Sequence, residues 1–249
     1  MTRVLDPQVE SENAVHPPHR RAAAWGVHLY TALGLPIAFV ATVALFSGQV
    51  QLFFVALCLA VFVDATDGTM ARRVGVREVL PDFDGRKLDD IVDFMTFAFL
   101  PSLALGTLSM FPEGLEWCAV IPLLASGYGF CQERAKTEES FVGFPSYWNV
   151  GVLYLYLFRT DPWINLAIIL GFSALVFVPI HYVYPTKTRF MKRFTIVFGY
   201  LWAATMTVLA LNLEADWSQS VAVVSTVFPL YYFAISGIHH RRVHRTEAP

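Results

Sequence analysis

The chain has 249 residues, of which 55% are hydrophobic and only 15% charged, and its formal net charge is -2. With a mean hydropathy of +0.50, this composition excludes an ordinary soluble globular domain and indicates an all-α polytopic membrane protein. The Lys and Arg residues lie singly or in pairs, so there is no basic patch for nucleic acid. Cys58, Cys118 and Cys131 fall inside apolar segments at spacings that match no zinc site, and they read as packing residues.

Residues 1–19 are polar, include three prolines and lack an apolar period, which predicts a mobile cytoplasmic tail. The first apolar run is too long for the h-region of a signal peptide. With about 20 apolar residues per crossing as the guide, about eight transmembrane helices are predicted. They run over 24–46, 49–72, 89–109, 116–133, 144–158, 163–184, 191–212 and 218–238. The junctions are brief except for one, about 73–88, which separates the second and third spans. A single integral-membrane domain over 20–240 and a cytoplasmic tail at 241–249 complete the organisation.

Basic residues orient the chain. Arg20 and Arg21 precede the first span, and Arg72, Arg73, Arg77, Arg86 and Lys87 lie between the second and third. Arg134 and Lys136 follow the fourth, Lys187, Arg189, Lys192 and Arg193 the sixth, and Arg241, Arg242 and Arg245 the eighth. Of 18 Lys and Arg residues, only Arg159 occupies an opposite-side junction. The positive-inside rule therefore predicts that both termini face the cytoplasm.

The chemistry gathers where the second span ends and the third begins. Asp64-x-x-Asp67-Gly68-x-x-Ala71-Arg72 is followed by Gly85-x-x-x-Asp89-x-x-x-Asp93. Carboxylates beside apolar helices are expensive, and they mark functional sites by default. Spacings of three and four put each pair on one helix face. The connection between the pairs cannot recross a bilayer, so all four acids share a depth. Two facing acid pairs repel unless a cation lies between them, and oxygen-bound divalent metal answers that need. The bland alternatives are N-terminal helix acids for Asp89 and Asp90, and pairing of Asp64 with Arg72 or Arg73. Gly68 and Ala71 permit close approach of either a neighbouring helix or a ligand. Arg72 offers a fork that matches phosphate oxygens.

This pattern resembles the signature of the CDP-alcohol phosphotransferases. The twelve residues between Arg72 and Gly85 make a longer connection than is usual there, and the longer form is similar to the subgroup of bacterial phosphatidylcholine synthases. Val79-Leu80-Pro81, Leu88–Phe94, Gln132–Thr137, Gly143–Asn149 and Tyr184–Thr188 resemble that subgroup too, so the likeness extends over 20–240. Asp84 is more acidic than the subgroup's usual residue.

The resemblance implies a CDP-alcohol phosphotransferase helical bundle, often homodimeric, in the bacterial inner membrane with its active site on the cytoplasmic side. It implies transfer of a phosphatidyl group from CDP-diacylglycerol to choline, giving phosphatidylcholine and CMP, with two divalent cations, Mn2+ or Mg2+. By matching positions, Asp64, Asp67, Asp89 and Asp93 are metal ligands, and Asp93 is also the catalytic base. Asp64, Gly68, Ala71, Arg72 and Gly85 match the CDP-diacylglycerol-binding positions. Choline, a quaternary ammonium, calls for aromatic faces and a nearby carboxylate. Glu133, Phe144, Tyr147 and Trp148 are the expected choline-binding residues, with Tyr128, Tyr182 and Tyr184 as weaker candidates, although interfacial belts also use Trp and Tyr. Other acceptors, such as serine, inositol or a polyol phosphate, would suit the same chemistry. A metal-ion transporter is the rival from another class, but acids near one face and the lack of a repeat speak against it.

Overall fold

A computed structural model of the chain describes residues 16–132, 140–185, 188 and 190–247. Helix α1 (Pro18–Ala32) continues through Leu33 into α2 (Gly34–Phe46) as a single rod. A tight turn with Gly48 at positive φ leads to α3 (Val50–Val74). Gly75, in the left-handed region, ends α3 by donating its N–H to the Ala71 carbonyl at 3.0 Å. Arg72 and Arg73 occupy that last turn, where they suit the negative end of the helix dipole.

The connection to the third helical rod is not slack. A short helix, α4 (Val76–Val79), packs Val76, Val79 and Leu80 against Ala24 and Val27 of α1. Asp84 then caps α5 (Gly85–Asp93), its carboxylate accepting the Lys87 N–H at 3.1 Å. Residues Phe94–Phe99 form a π-helical segment before α6 (Leu100–Thr107). A 3-10 turn, Glu116–Ala119, opens α7 (Val120–Cys131). Strand β1 (Ser140–Val142), α8 (Trp148–Phe158), α9 (Pro162–Val176) and β2 (His181–Val183) follow. The chain ends with α10 (Lys192–Ala210), α11 (Ser218–Ser225) and α12 (Val227–Glu247).

The fold is that of an all-α membrane protein with one small addition. β1 and β2 pair antiparallel, with Phe141 opposite Tyr182. This ladder shortens the expected sixth span, because α9 stops at Val176 and the following residues turn into β2. Gly143, at φ +85, lies so close to the Val176 carbonyl that no side chain fits there. Among the described residues, four helices are each long and apolar enough to cross a bilayer: Pro18–Phe46, Val50–Val74, Lys192–Ala210 and Ser218–Val243. Trp148–Phe158 and Pro162–Val176 are apolar but shorter. The outer surface is itself apolar: Phe39, Leu124 and Val224 are each 70% exposed. Such a surface is suited to lipid rather than water.

Long-range hydrogen bonds sort the connections to two ends. The Gln51 amide donates to the Leu211 carbonyl, Arg159 pairs with Glu214 at 3.0 Å, and Asn165 Nδ2 donates to the Met110 carbonyl. The turns near 48, 110, 160 and 212 therefore meet at one end. At the other end lie the acidic motif, the β1–β2 ladder and the stacked rings of His181 and His240.

Candidate active site

Three of the four expected acids converge. One carboxylate oxygen from each of Asp64, Asp89 and Asp93 lies within 4.8 Å of the others, and all three residues are half-buried. Asp64 comes from α3, and Asp89 and Asp93 from successive turns of α5, so the site is the seam between these helices. Carboxylates this close, partly out of water, repel strongly. An all-oxygen donor set suits a hard divalent cation. The residues present therefore fit a divalent metal ion, which they would hold through oxygen.

Asp67 stands outside that group of three. Three residues beyond Asp64, its side chain is rotated by about 60° around the helix and faces α1. There its Oδ2 accepts a hydrogen bond from Thr31 Oγ1 at 2.7 Å. The expected quartet is therefore divided: three acids share one point, and the fourth is held by the first helix.

The small residues of the motif have distinct tasks. Gly68 leaves room for Arg72 to fold back, since a Cβ there would lie 3.3 Å from Arg72 Nη1. The other arm of that guanidinium donates to Thr69 Oγ1 at 3.0 Å. Ala71 packs on the Ala24–Val27–Val79 cluster. Gly85 lies under the His28 ring, where a Cβ would come within 2.5 Å of Cε1. His28 is itself held against Phe83, with ring centroids 4.3 Å apart.

The expected choline residues separate. Trp148 is only 1% exposed, and its indole N–H donates to Ser126 Oγ at 2.7 Å. Ser126 Oγ donates in turn to Ser146 Oγ at 3.1 Å. Phe144 stacks on Phe172 at 4.8 Å within the core. These two are anchors, and between them the chain passes through Ser146 at φ +56. The intervening ring, Tyr147, lies within electrostatic range of Asp64 and Asp93. Phe97 and Phe141, each at 6.5 Å, and Tyr232 at 6.1 Å surround it. Tyr184 packs on Phe141 at 4.5 Å, and Tyr182 stacks on Tyr232 at 6.4 Å. Tyr128 packs on Phe177, apart from this set. Glu133 lies outside the described residues.

Sequence reasoning missed Thr31, His28, Phe97, Phe141 and Tyr232. A signal existed for the first two, since polar side chains inside an apolar span are seldom idle. None existed for the aromatics in a chain that is 15% aromatic. The capping role of Asp84 was legible as an N-cap acid before a helix. A cleft of about 620 Å3 lined by Gln49, Gln51, Tyr156 and Glu214 opens at the opposite end of the molecule and contains none of the motif residues.

No protein-family model matches the chain. It is 37% identical to a phosphatidylcholine synthase of Pseudomonas aeruginosa over 201 residues, covering 80% of this chain and 84% of that protein. The phosphatidylcholine synthase of Legionella pneumophila is 36% identical, with 72% of each chain covered. That of Mesorhizobium japonicum is 33% identical over 233 residues, 88% of this chain and 87% of the relative.

Proposed function

We propose, from the premise that the chain belongs to the phosphatidylcholine synthase family, that it transfers a phosphatidyl group from CDP-diacylglycerol to choline at the seam between α3 and α5. The observation that carries this reading is the convergence of one carboxylate oxygen from each of Asp64, Asp89 and Asp93. Phosphoryl transfer needs charge neutralisation and in-line positioning more than covalent catalysis. The three converging acids, with Asp67, would hold two divalent cations, Mn2+ or Mg2+, which would supply that neutralisation at the diphosphate.

The chain's own residues do the rest. Arg72, folded over Gly68, offers its fork to a phosphate oxygen of CDP-diacylglycerol. Gly85, kept bare beneath the His28 ring, lets α1 seat against the start of α5. Asp93 accepts the choline hydroxyl proton. The choline oxygen forms its bond to the phosphatidyl phosphorus as the bond from that phosphorus to the CMP oxygen breaks. Tyr147, with Phe97, Phe141 and Tyr232, presents ring faces to the quaternary ammonium.

This acceptor site has its own test. A cation over an aromatic face is worth roughly 0.5–2 kcal/mol, so Tyr147→Ala raises the choline KM by roughly two- to thirtyfold with little change in the KM for CDP-diacylglycerol. Tyr147→Phe keeps the ring and most of the affinity. Trp148→Ala behaves differently, because emptying a buried Trp site costs about 3–5 kcal/mol of stability and affects both substrates. Steady-state KM values in folded variants decide it: an unchanged choline KM in Tyr147→Ala would move the ammonium elsewhere. Serine and inositol run in the same assay should give no product.

We also propose eight crossings, with both termini and the acids on the cytoplasmic side of the bacterial inner membrane. The meeting of the turns near 48, 110, 160 and 212 at one end supports this alternation, as do the basic residues at the other. α8 and α9 are shorter than the crossing length of about 20 residues, and the residues of the β1–β2 ladder complete their cytoplasmic ends. Reporter fusions after Pro249 and at Glu113 should report opposite sides of the membrane. The same side for both would end the eight-span arrangement.

A further inference from the structure

We propose that Thr31 is a positioning residue that fixes the Asp67 carboxylate for cation binding, an inference that rests on the reading of Asp67 as a ligand given above. Asp67 is 5% exposed and Thr31 7%, so their hydrogen bond at 2.7 Å is shielded from water. A charge-assisted O–H···O bond of this kind is short and directional. It fixes the orientation of the carboxylate through Oδ2. A second tie lies beside it, with Tyr30 Oη and Thr66 Oγ1 2.8 Å apart. Adjacent residues of α1 therefore grip adjacent residues of α3, and the Asp67 side chain cannot rotate without breaking the clamp.

The same face of the first rod reaches the other half of the motif. His28, Thr31 and Gly34 recur every three residues, which places them along one side of the helix. His28 covers Gly85, Thr31 holds Asp67, and Gly34 receives the Val92 side chain so closely that no Cβ fits between them. The first rod is thus in direct contact with both acid-bearing helices. A hydroxyl at position 31 then serves more than packing: it selects one rotamer of the motif acid that stands apart from Asp64, Asp89 and Asp93.

Outer partners of metal ligands typically contribute about 10–100-fold to metal affinity. The test is a Mn2+ titration of the purified full-length protein, followed by electron paramagnetic resonance with CDP present. Thr31→Val, which keeps the shape and removes the hydroxyl, should weaken one Mn2+ ion about 10–100-fold. Thr31→Ala should weaken the same ion, and Thr31→Ser should restore it. Asp67→Asn should lose that ion, and adding Thr31→Val to Asp67→Asn should cause no further loss, since the two act through one contact. Melting temperatures of each variant are measured alongside. Parent-like Mn2+ binding in both Thr31→Val and Thr31→Ala, with Asp67→Asn defective, would overturn the positioning role while leaving Asp67 a ligand. Equal loss in Thr31→Ser would also overturn it, because the hydroxyl would then not be the active group. Parent-like binding in Asp67→Asn would instead remove the ligand assignment on which the proposal rests.

Discussion

Replacing Asp64 or Asp89 by Asn will lower phosphatidyl transfer by roughly a thousandfold, and chelation will abolish it until Mn2+ or Mg2+ is returned. Removing one preorganised electrostatic contact from a transition state costs about a hundred- to a thousandfold, and each of these substitutions removes a full anionic ligand. The geometry explains why neither acid can stand in for the other. Asp64 projects from α3 and Asp89 from α5, yet their oxygens lie within 4.8 Å with that of Asp93. Losing either would remove one of three converging carboxylates while the helices that carry the other acids stay where they are. Asn keeps the volume and a hydrogen-bonding oxygen, so a fall in rate reports lost charge rather than lost packing. The measurement is turnover with labelled choline in folded protein, with metal added back after chelation. Near-normal rates in both variants would refute the metal assignment.

Asp93→Asn will lower kcat by about 10²–10⁴, the usual contribution of a general base, while CDP-diacylglycerol binding is largely kept. A base acts on the acceptor hydroxyl in the transition state, and its loss appears in kcat more than in donor affinity. The neighbouring acid provides the internal comparison. Asp90 follows Asp89 directly, so its side chain is rotated by about 100° off the shared face, and Asp90→Asn should be mild. Asp93 also sits where α5 gives way to the π-helical segment Phe94–Phe99. Such segments re-register a helix face and are frequent at functional sites. Phe97 of this segment packs against Tyr147, with ring centroids 6.5 Å apart. Donor affinity and single-turnover rates in Asp93→Asn and Asp90→Asn separate the roles. Equal, mild effects at both positions would place the base on another residue.

The features legible from the amino-acid order were those set by local rules. Hydropathy marks helices because a helix in lipid must satisfy its own backbone. The i, i+3 and i, i+4 spacings put Asp64 with Asp67 and Asp89 with Asp93 on helix faces whatever the rest of the chain does. The bounds of the shorter helices were less legible: the expected span 163–184 becomes α9 and β2, because strand pairing with Ser140–Val142 competes with helix continuation.

The division of labour inside the site was decided by tertiary contacts. Composition cannot distinguish Trp148 from Tyr147, two adjacent aromatics at a span entrance. The Trp148–Ser126–Ser146 hydrogen-bond chain buries one, while the other packs among Phe97, Phe141 and Tyr232. Nothing in the spacing of the acids separates Asp67 from its neighbours either. That separation comes from Thr31, a residue 36 positions away that the packing of α1 against α3 brings to 2.7 Å. Periodicity along one helix determines which residues share a face, but what that face meets depends on which helices pack together, and that is a property of the whole fold.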